Sequence, residues 1–187
     1  AVFELDPTRQ TVLVIGGSLG ARTLNEALSQ SIDAIVKSEL QFIWQCGKGY
    51  YHSILEAIPD MPKQIKLMPF ISRMDAAYAA ADIVVSRAGA LSVSELCLIG
   101  KPSVFVPSPN VAEDHQTKNA LALVTNEAAV MVKDIDAVEV LTDTVLDLLK
   151  NAPQKGKLAE NIKKMAKPNA TIDIVNACEN LLNKYAK

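Results

Sequence analysis

Apolar residues fall along this chain in two alternating patterns. Short unbroken runs occur at Thr11–Ile15 (TVLVI), Gln41–Cys46, Ile65–Phe70, Asp82–Ser86, Ser103–Val106 and Ala129–Val132. Runs of this length, rich in β-branched residues, read as strands covered on both faces. Between them the apolar positions recur at intervals of three and four, as on one face of a helix. Leu24, Ala27, Leu28, Ile32 and Ile35 predict one helix after the first strand. Shorter helices are expected over Tyr50–Ala57, broken by Pro59 and Pro62, and over Ala76–Ala81. Leu91–Ile99 is a helix closed by Gly100, with Pro102 beyond, and Asp114–Asn126 is another. Three helices finish the chain from about Ala137, Lys155 and Ala170; Val138, Leu141, Val145 and Leu148 give the first its apolar face. Residues 1–10 have no period and read as a linker remnant before a domain at 11–187.

Strands alternating with helices specify an α/β fold, a Rossmann-like doubly wound parallel sheet of about six strands. Ligands of such sheets sit at the carboxyl ends of the strands. The turns after strands one, three, four and five are therefore the places to seek function.

Composition narrows the classes. The balance of 19 basic and 21 acidic residues, net −2, gives no general reason to bind nucleic acid. Lys155, Lys157, Lys163, Lys164 and Lys167 are expected to form a solvated helical face. Cys46, Cys97 and Cys178 are far apart in apolar segments and read as reduced core residues rather than a disulfide framework or a zinc site. No run reaches the length of a membrane span and no signal-peptide pattern opens the chain, so a cytoplasmic protein is expected.

Candidate chemistry concentrates in four segments. In Ser86-Arg87-Ala88-Gly89-Ala90-Leu91-Ser92-Val93-Ser94-Glu95, a strand ends in small residues that start a helix, a geometry whose free N–H groups and dipole attract an anion. Glu95 has the wrong charge for phosphate but can accept from a ribose diol. Arg87 is either a phosphate ligand or a structural ion-pair partner. Gly16-Gly17-Ser18-Leu19-Gly20 resembles a hydrolase nucleophile elbow, but no strand precedes Thr11 to supply an oxyanion loop. It also lacks the dinucleotide pattern. A diphosphate loop with Ser18 as donor, or a turn that merely needs glycine, remains. After strand three, the backbone of Ile71 could read a base edge, with Met74 packing beside it. After strand five, Gln116 and Asn119 share one helical face and suit sugar hydroxyls. Asp134-Ile135-Asp136 looks like a metal-binding Asp-x-Asp, but it precedes a helix, where Asp is an ordinary N-cap. No metal site, cofactor or catalytic base is assigned.

Three of these segments, Gly-Gly-Ser-x-Gly-Ala, Arg-x-Gly-Ala-x-Ser-x-x-Glu and Asp-His-Gln-x-x-Asn-Ala, occur in the order and spacing of glycosyltransferase family 28, the peptidoglycan N-acetylglucosaminyltransferases. The chain resembles the C-terminal, donor-binding half of such an enzyme. The resemblance implies a GT-B architecture whose C-terminal domain holds UDP-N-acetylglucosamine and whose N-terminal domain holds a lipid-linked muramoyl-pentapeptide. It places Ser18 at the diphosphate and Ile71, through its backbone, at uracil; Gly17, Met74 and Arg87 are expected among the substrate-binding residues. It places Ala90, Leu91 and Ser92 around phosphates and sugar, Glu95 at the ribose diol and Gln116 at hydroxyls of the N-acetylglucosamine; Val93, Ser94 and Asn119 are expected among the substrate-binding residues. It further implies inverting transfer of N-acetylglucosamine during cell-wall synthesis, by a peripheral protein of the cytoplasmic face of the bacterial inner membrane. This half alone is expected to bind donor without turnover. A UDP-sugar 2-epimerase half-domain and a non-catalytic nucleotide-sugar-binding module are the alternatives.

Overall fold

The computed structural model describes residues 2–185. The start of the expected linker at Ala1 and the end of the expected domain at Ala186 and Lys187 lie outside the described residues. Six parallel strands form one sheet: β1 (Thr11–Ile15), β2 (Gln41–Gln45), β3 (Ile65–Met68), β4 (Ile83–Ser86), β5 (Ser103–Phe105) and β6 (Val130–Met131). Their order is β3-β2-β1-β4-β5-β6, the doubly wound arrangement, with the order reversing between β1 and β4. In register, Leu13 lies between Ile43 and Val84, and Ile15 between Gln45 and Ser86.

The continuous apolar runs are explained by cover on both faces. Val12, Val14, Phe42, Trp44, Ile83 and Val85 belong to one core with α1 (Arg22–Gln30), α2 (Ile32–Lys37), α3 (Tyr51–Ala57) and α7 (Ala137–Lys150). The alternate residues Leu13, Ile43, Val84 and Phe105 belong to the other, with α4 (Met74–Ala80), α5 (Ala90–Ile99) and α6 (His115–Thr125). α8 (Ala152–Lys164) joins the two, giving Leu158 to the first core and Ile162 to the second. Gly100 ends α5 in the left-handed region and returns its N–H to Leu96 O at 3.0 Å.

Polar residues buried at the ends of β2 tie the loops above and below the sheet. Gln41 accepts from the Asp6 N–H at 2.7 Å and donates to Asp6 O at 2.8 Å, fastening the opening segment, whose Phe3 is buried. Gln45 donates to Gly17 O at 2.8 Å and Pro69 O at 3.2 Å, fastening the turns after β1 and β3. Asn25 accepts from the Trp44 indole N–H at 2.9 Å and donates to Cys46 O at 3.0 Å, so α1 is pinned to β2 by a buried pair of hydrogen bonds.

Several expectations need correction. The helix expected across Leu24–Ile35 is two helices, broken at Ser31, whose N–H turns back to Leu28 O at 3.1 Å. α4 and α8 begin earlier than the sequence suggests, at Met74 and Ala152, and β3 stops at Met68 rather than Phe70. Cys178 is exposed, not a core residue. It lies on α9 (Ala170–Tyr185), where the residues from Ala170 to Lys184 are all exposed, Ile172, Val175, Leu181 and Leu182 among them. Of the terminal lysines, Lys157 meets Glu127 at 2.6 Å and Lys164 meets Glu160 at 2.7 Å on the surface. Among the described residues no helix is long and apolar enough to cross a membrane.

Two outcomes follow from this packing. Asn25→Leu strands the Trp44 N–H and the Cys46 carbonyl, and urea denaturation followed by circular dichroism should show a loss of about 2–4 kcal/mol. Burial pushes the Cys46 thiol up to about 11 and raises Cys97 as well, whereas Cys178 is exposed. Titration with a thiol reagent at pH 8 should therefore consume Cys178 rapidly in the native protein and Cys46 and Cys97 only after unfolding.

Candidate functional site

Every strand delivers its carboxyl end to one edge of the sheet, and the turns there enclose a cleft of ≈ 660 Å³. One wall is the turn after β1. Gly20 has φ +81°, and a Cβ at that position would collide with the carbonyl oxygen of Cys46 and sit 2.8 Å from the Tyr50 ring. Gly47, with φ +90°, would meet the Gly20 Cα at 2.5 Å. The turns after β1 and β2 thus touch main chain to main chain, which only glycine allows. This contact seats Gly16–Gly20 against the sheet and aims the start of α1 into the cleft. The N-cap of α1, Ala21, offers no side-chain acceptor, so the first-turn amides are uncapped by protein.

The opposite wall begins at the end of β4. Gly89 is the N-cap of α5 and likewise supplies no side-chain cap. Two helix N-termini with uncapped amides therefore serve the same region, a combination that favours negative charge. Ser18, Arg87, Ser92 and Gln116 line the cleft, together with Ser108 and Asn110 from the turn after β5. Gln116 accepts from the Ser108 N–H at 2.9 Å, which fixes its amide and leaves the NH2 group to donate.

Arg87 ties several strand ends of the site together. Its Nη1 donates to Val106 O at 3.0 Å and Pro107 O at 3.3 Å, and it forms an ion pair with Asp134. The other oxygen of Asp134 accepts from the Thr23 hydroxyl at 3.0 Å, and Asp134 and Thr23 both line the cleft. The expectation that Asp134 is a helix cap is thus corrected. α7 starts at Ala137, its N-cap Asp136 makes no side-chain cap, and Asp134 instead joins the ends of β4, β5 and β6 to α1. The turn after β6 lies at the same edge as the other strand ends, so the rule that points to strand ends applies to it equally.

The remaining expected residues lie outside this cleft. Ile71 is buried in the second core, yet neither its N–H nor its carbonyl has a protein partner among the described residues. Met74, the first residue of α4, packs partly buried against the same core. Ala90, Leu91, Ser94 and Glu95 are exposed on α5, and the Ser94 hydroxyl is turned back to Ala90 O at 2.9 Å. Val93 and Asn119 line a smaller hollow of ≈ 240 Å³ between α5 and α6, where Asn119 donates to Ala88 O at 3.0 Å and so holds the turn leading into α5. Glu95 accepts from the Tyr78 hydroxyl at 2.9 Å. Burial, and then the hydrogen bond to Glu95, push the Tyr78 phenol above its usual range, so it remains a donor at neutral pH. Tyr78, Thr23 and Asp134 are the polar partners that sequence reasoning missed. Of the two histidines, His115 places Nδ1 2.9 Å from Ala112 O, and His52 stacks edge-on with Tyr51. Among the described residues no group of three or more metal-ligating side chains converges.

Residues 11–174 match the family model of the glycosyltransferase family 28 C-terminal domain. The chain is 52% identical over 166 residues to the UDP-N-acetylglucosamine--N-acetylmuramyl-(pentapeptide) pyrophosphoryl-undecaprenol N-acetylglucosamine transferase of Porphyromonas gingivalis, a match covering 88% of this chain and 44% of that protein. The crystal structure of Acinetobacter baumannii MurG superposes with a TM-score of 0.79 at 34% identity, covering 95% of this chain and 51% of that one. A UDP-GlcNAc 2-epimerase from Neisseria meningitidis bound to UDP-GlcNAc shares the fold alone, with a TM-score of 0.66 at 14% identity over 94% of this chain and 46% of that one. The chain spans about half the length of the relatives it matches.

The two glycines of the first turn should respond differently to a methyl group. Gly20→Ala adds a clash to a left-handed backbone and should cost about 2–5 kcal/mol in urea denaturation. Gly17→Ala, with φ +80° but nothing within 4 Å of the added carbon, should cost only about 1–2 kcal/mol.

Proposed function

The chain belongs to the glycosyltransferase family 28 C-terminal domain family, and from that premise we propose that it is the donor-binding half of an inverting N-acetylglucosaminyltransferase that uses UDP-N-acetylglucosamine. The observation that carries this reading is the meeting of two uncapped helix N-termini, α1 and α5, over a glycine turn that also presents Ser18, Arg87 and Gln116. The diphosphate sits there. The sugar extends toward Gln116, Ser108 and Asn110, whose amide and hydroxyl groups suit sugar hydroxyls. Uracil meets the unpartnered backbone of Ile71, with Met74 beside it, and the ribose diol meets Glu95, whose carboxylate Tyr78 orients.

In the reaction, an acceptor hydroxyl attacks the anomeric carbon from the face opposite the diphosphate. The bond from that carbon to the β-phosphate oxygen breaks, and its electron pair leaves with UDP. The proton of the hydroxyl passes to a base in the remainder of the full-length protein. Negative charge grows on the β-phosphate as the bond breaks, and donors already fixed around it stabilise that growth without reorganisation. The amides of the first turns of α1 and α5, the Ser18 hydroxyl and the Arg87 fork are such donors. The acceptor is a lipid-linked muramoyl-pentapeptide held by the other half, at the cytoplasmic face of the membrane. An epimerase role has only the shared fold in its favour.

Calorimetric titration of the chain with UDP-N-acetylglucosamine should give one-to-one binding, and Glu95→Ala should weaken it about tenfold. Absence of binding would remove the nucleotide-sugar reading, and unchanged affinity in the variant would remove the ribose role of Glu95. The full-length enzyme should transfer sugar only when the lipid acceptor is present and release no epimerised UDP-sugar without it.

A further inference from the structure

We propose that Asp134 is a positioning residue for the nucleotide diphosphate, acting through Arg87 and the first turn of α1; the proposal rests on the nucleotide-sugar reading above. Its carboxylate is committed on both sides. One oxygen holds Arg87 Nη1 and the other accepts from the Thr23 hydroxyl at 3.0 Å. Arg87 Nη1 also faces Val106 O at 3.0 Å and Pro107 O at 3.3 Å. Three acceptors therefore converge on a single guanidinium nitrogen, while Nε and Nη2 have no acceptor among the described residues. Because the guanidinium is planar and rigid, holding Nη1 sets the direction of the whole fork and leaves its other edge free for a bidentate contact with phosphate.

The side chains of Arg87 and Asp134 are 16% and 19% exposed, so the pair is sheltered enough to hold its geometry, unlike an ion pair on the open surface. Thr23 is in the first turn of α1, whose uncapped amides are the other anion donors of the cleft. A single carboxylate thus sets the spacing between the arginine fork and the helix N-terminus. Its negative charge opposes an incoming phosphate at longer range. Both of its oxygens are occupied by donors, however, and the orientation it imposes on Arg87 outweighs that repulsion.

Binding of UDP and of uridine to the chain, followed by amide chemical shifts, separates this role from general stability. Asp134→Ala should weaken UDP about tenfold and leave uridine, which has no phosphate, unchanged. Asp134→Asn keeps an oxygen for Arg87 and a polar group for Thr23, and should bind UDP within about threefold of the parent. In an Arg87→Ala background, Asp134→Ala should add a smaller loss than in the parent, since only the contact to Thr23 in the first turn of α1 remains to be removed. Equal or tighter UDP binding by Asp134→Ala, a loss in Asp134→Asn as large as in Asp134→Ala, or a parallel loss of uridine would each overturn the positioning role. If the parent itself binds uridine but not UDP, the diphosphate assignment and this proposal fail together.

Discussion

The site depends on one approach of main chain to main chain. Gly20 and Gly47 let the turns after β1 and β2 close to distances that any side chain would forbid. Without that approach the loop after β1 would ride away from the sheet, and α1 would start too far out for its amides to face the turn after β4. Gln45 secures the same loop from below, through Gly17 O. The anion-binding character of the cleft is thus a consequence of backbone geometry before any charged side chain contributes.

Side chains then divide the edge by chemistry. Arg87 and the helix N-termini lie on the walls of the cleft, where formal charge on a ligand can be met. Glu95 and Tyr78, joined by a hydrogen bond, lie apart on α5 and α4, where a neutral diol is the better partner. A carboxylate among the donors of the cleft would oppose an anion unless it were itself neutralised. Asp134, the acidic residue on that wall, is paired with Arg87.

Much of the fold was legible in the sequence, because strands covered on both faces leave unbroken apolar runs and helices leave three-and-four spacing. The features that escaped depend on distance in space. Ser31 carries no helix-breaking signal, so the division between α1 and α2 cannot be read locally. Cys178 sits in a periodic apolar helix that looks like core, and only the three-dimensional arrangement reveals that the residues of α9 from Ala170 to Lys184 are exposed. Gln116 and Asn119 share a helical face, yet one reaches the cleft and the other braces Ala88. Asp134 was obscured by its setting, since an aspartate just before a helix has a sufficient local explanation. Its tie to Arg87 spans 47 positions of the chain.

The bond between Trp44 and Asn25 has an optical consequence. Trp44 is the only tryptophan of the chain, it is 1% exposed in the middle of the sheet, and its indole N–H is held by α1. Its intrinsic fluorescence is therefore a single-site signal, shielded from water and quenchers while β2 and α1 remain together. It reports the seating of the helix whose first turn lines the cleft, so light emitted from the core registers the integrity of the scaffold beneath that cleft.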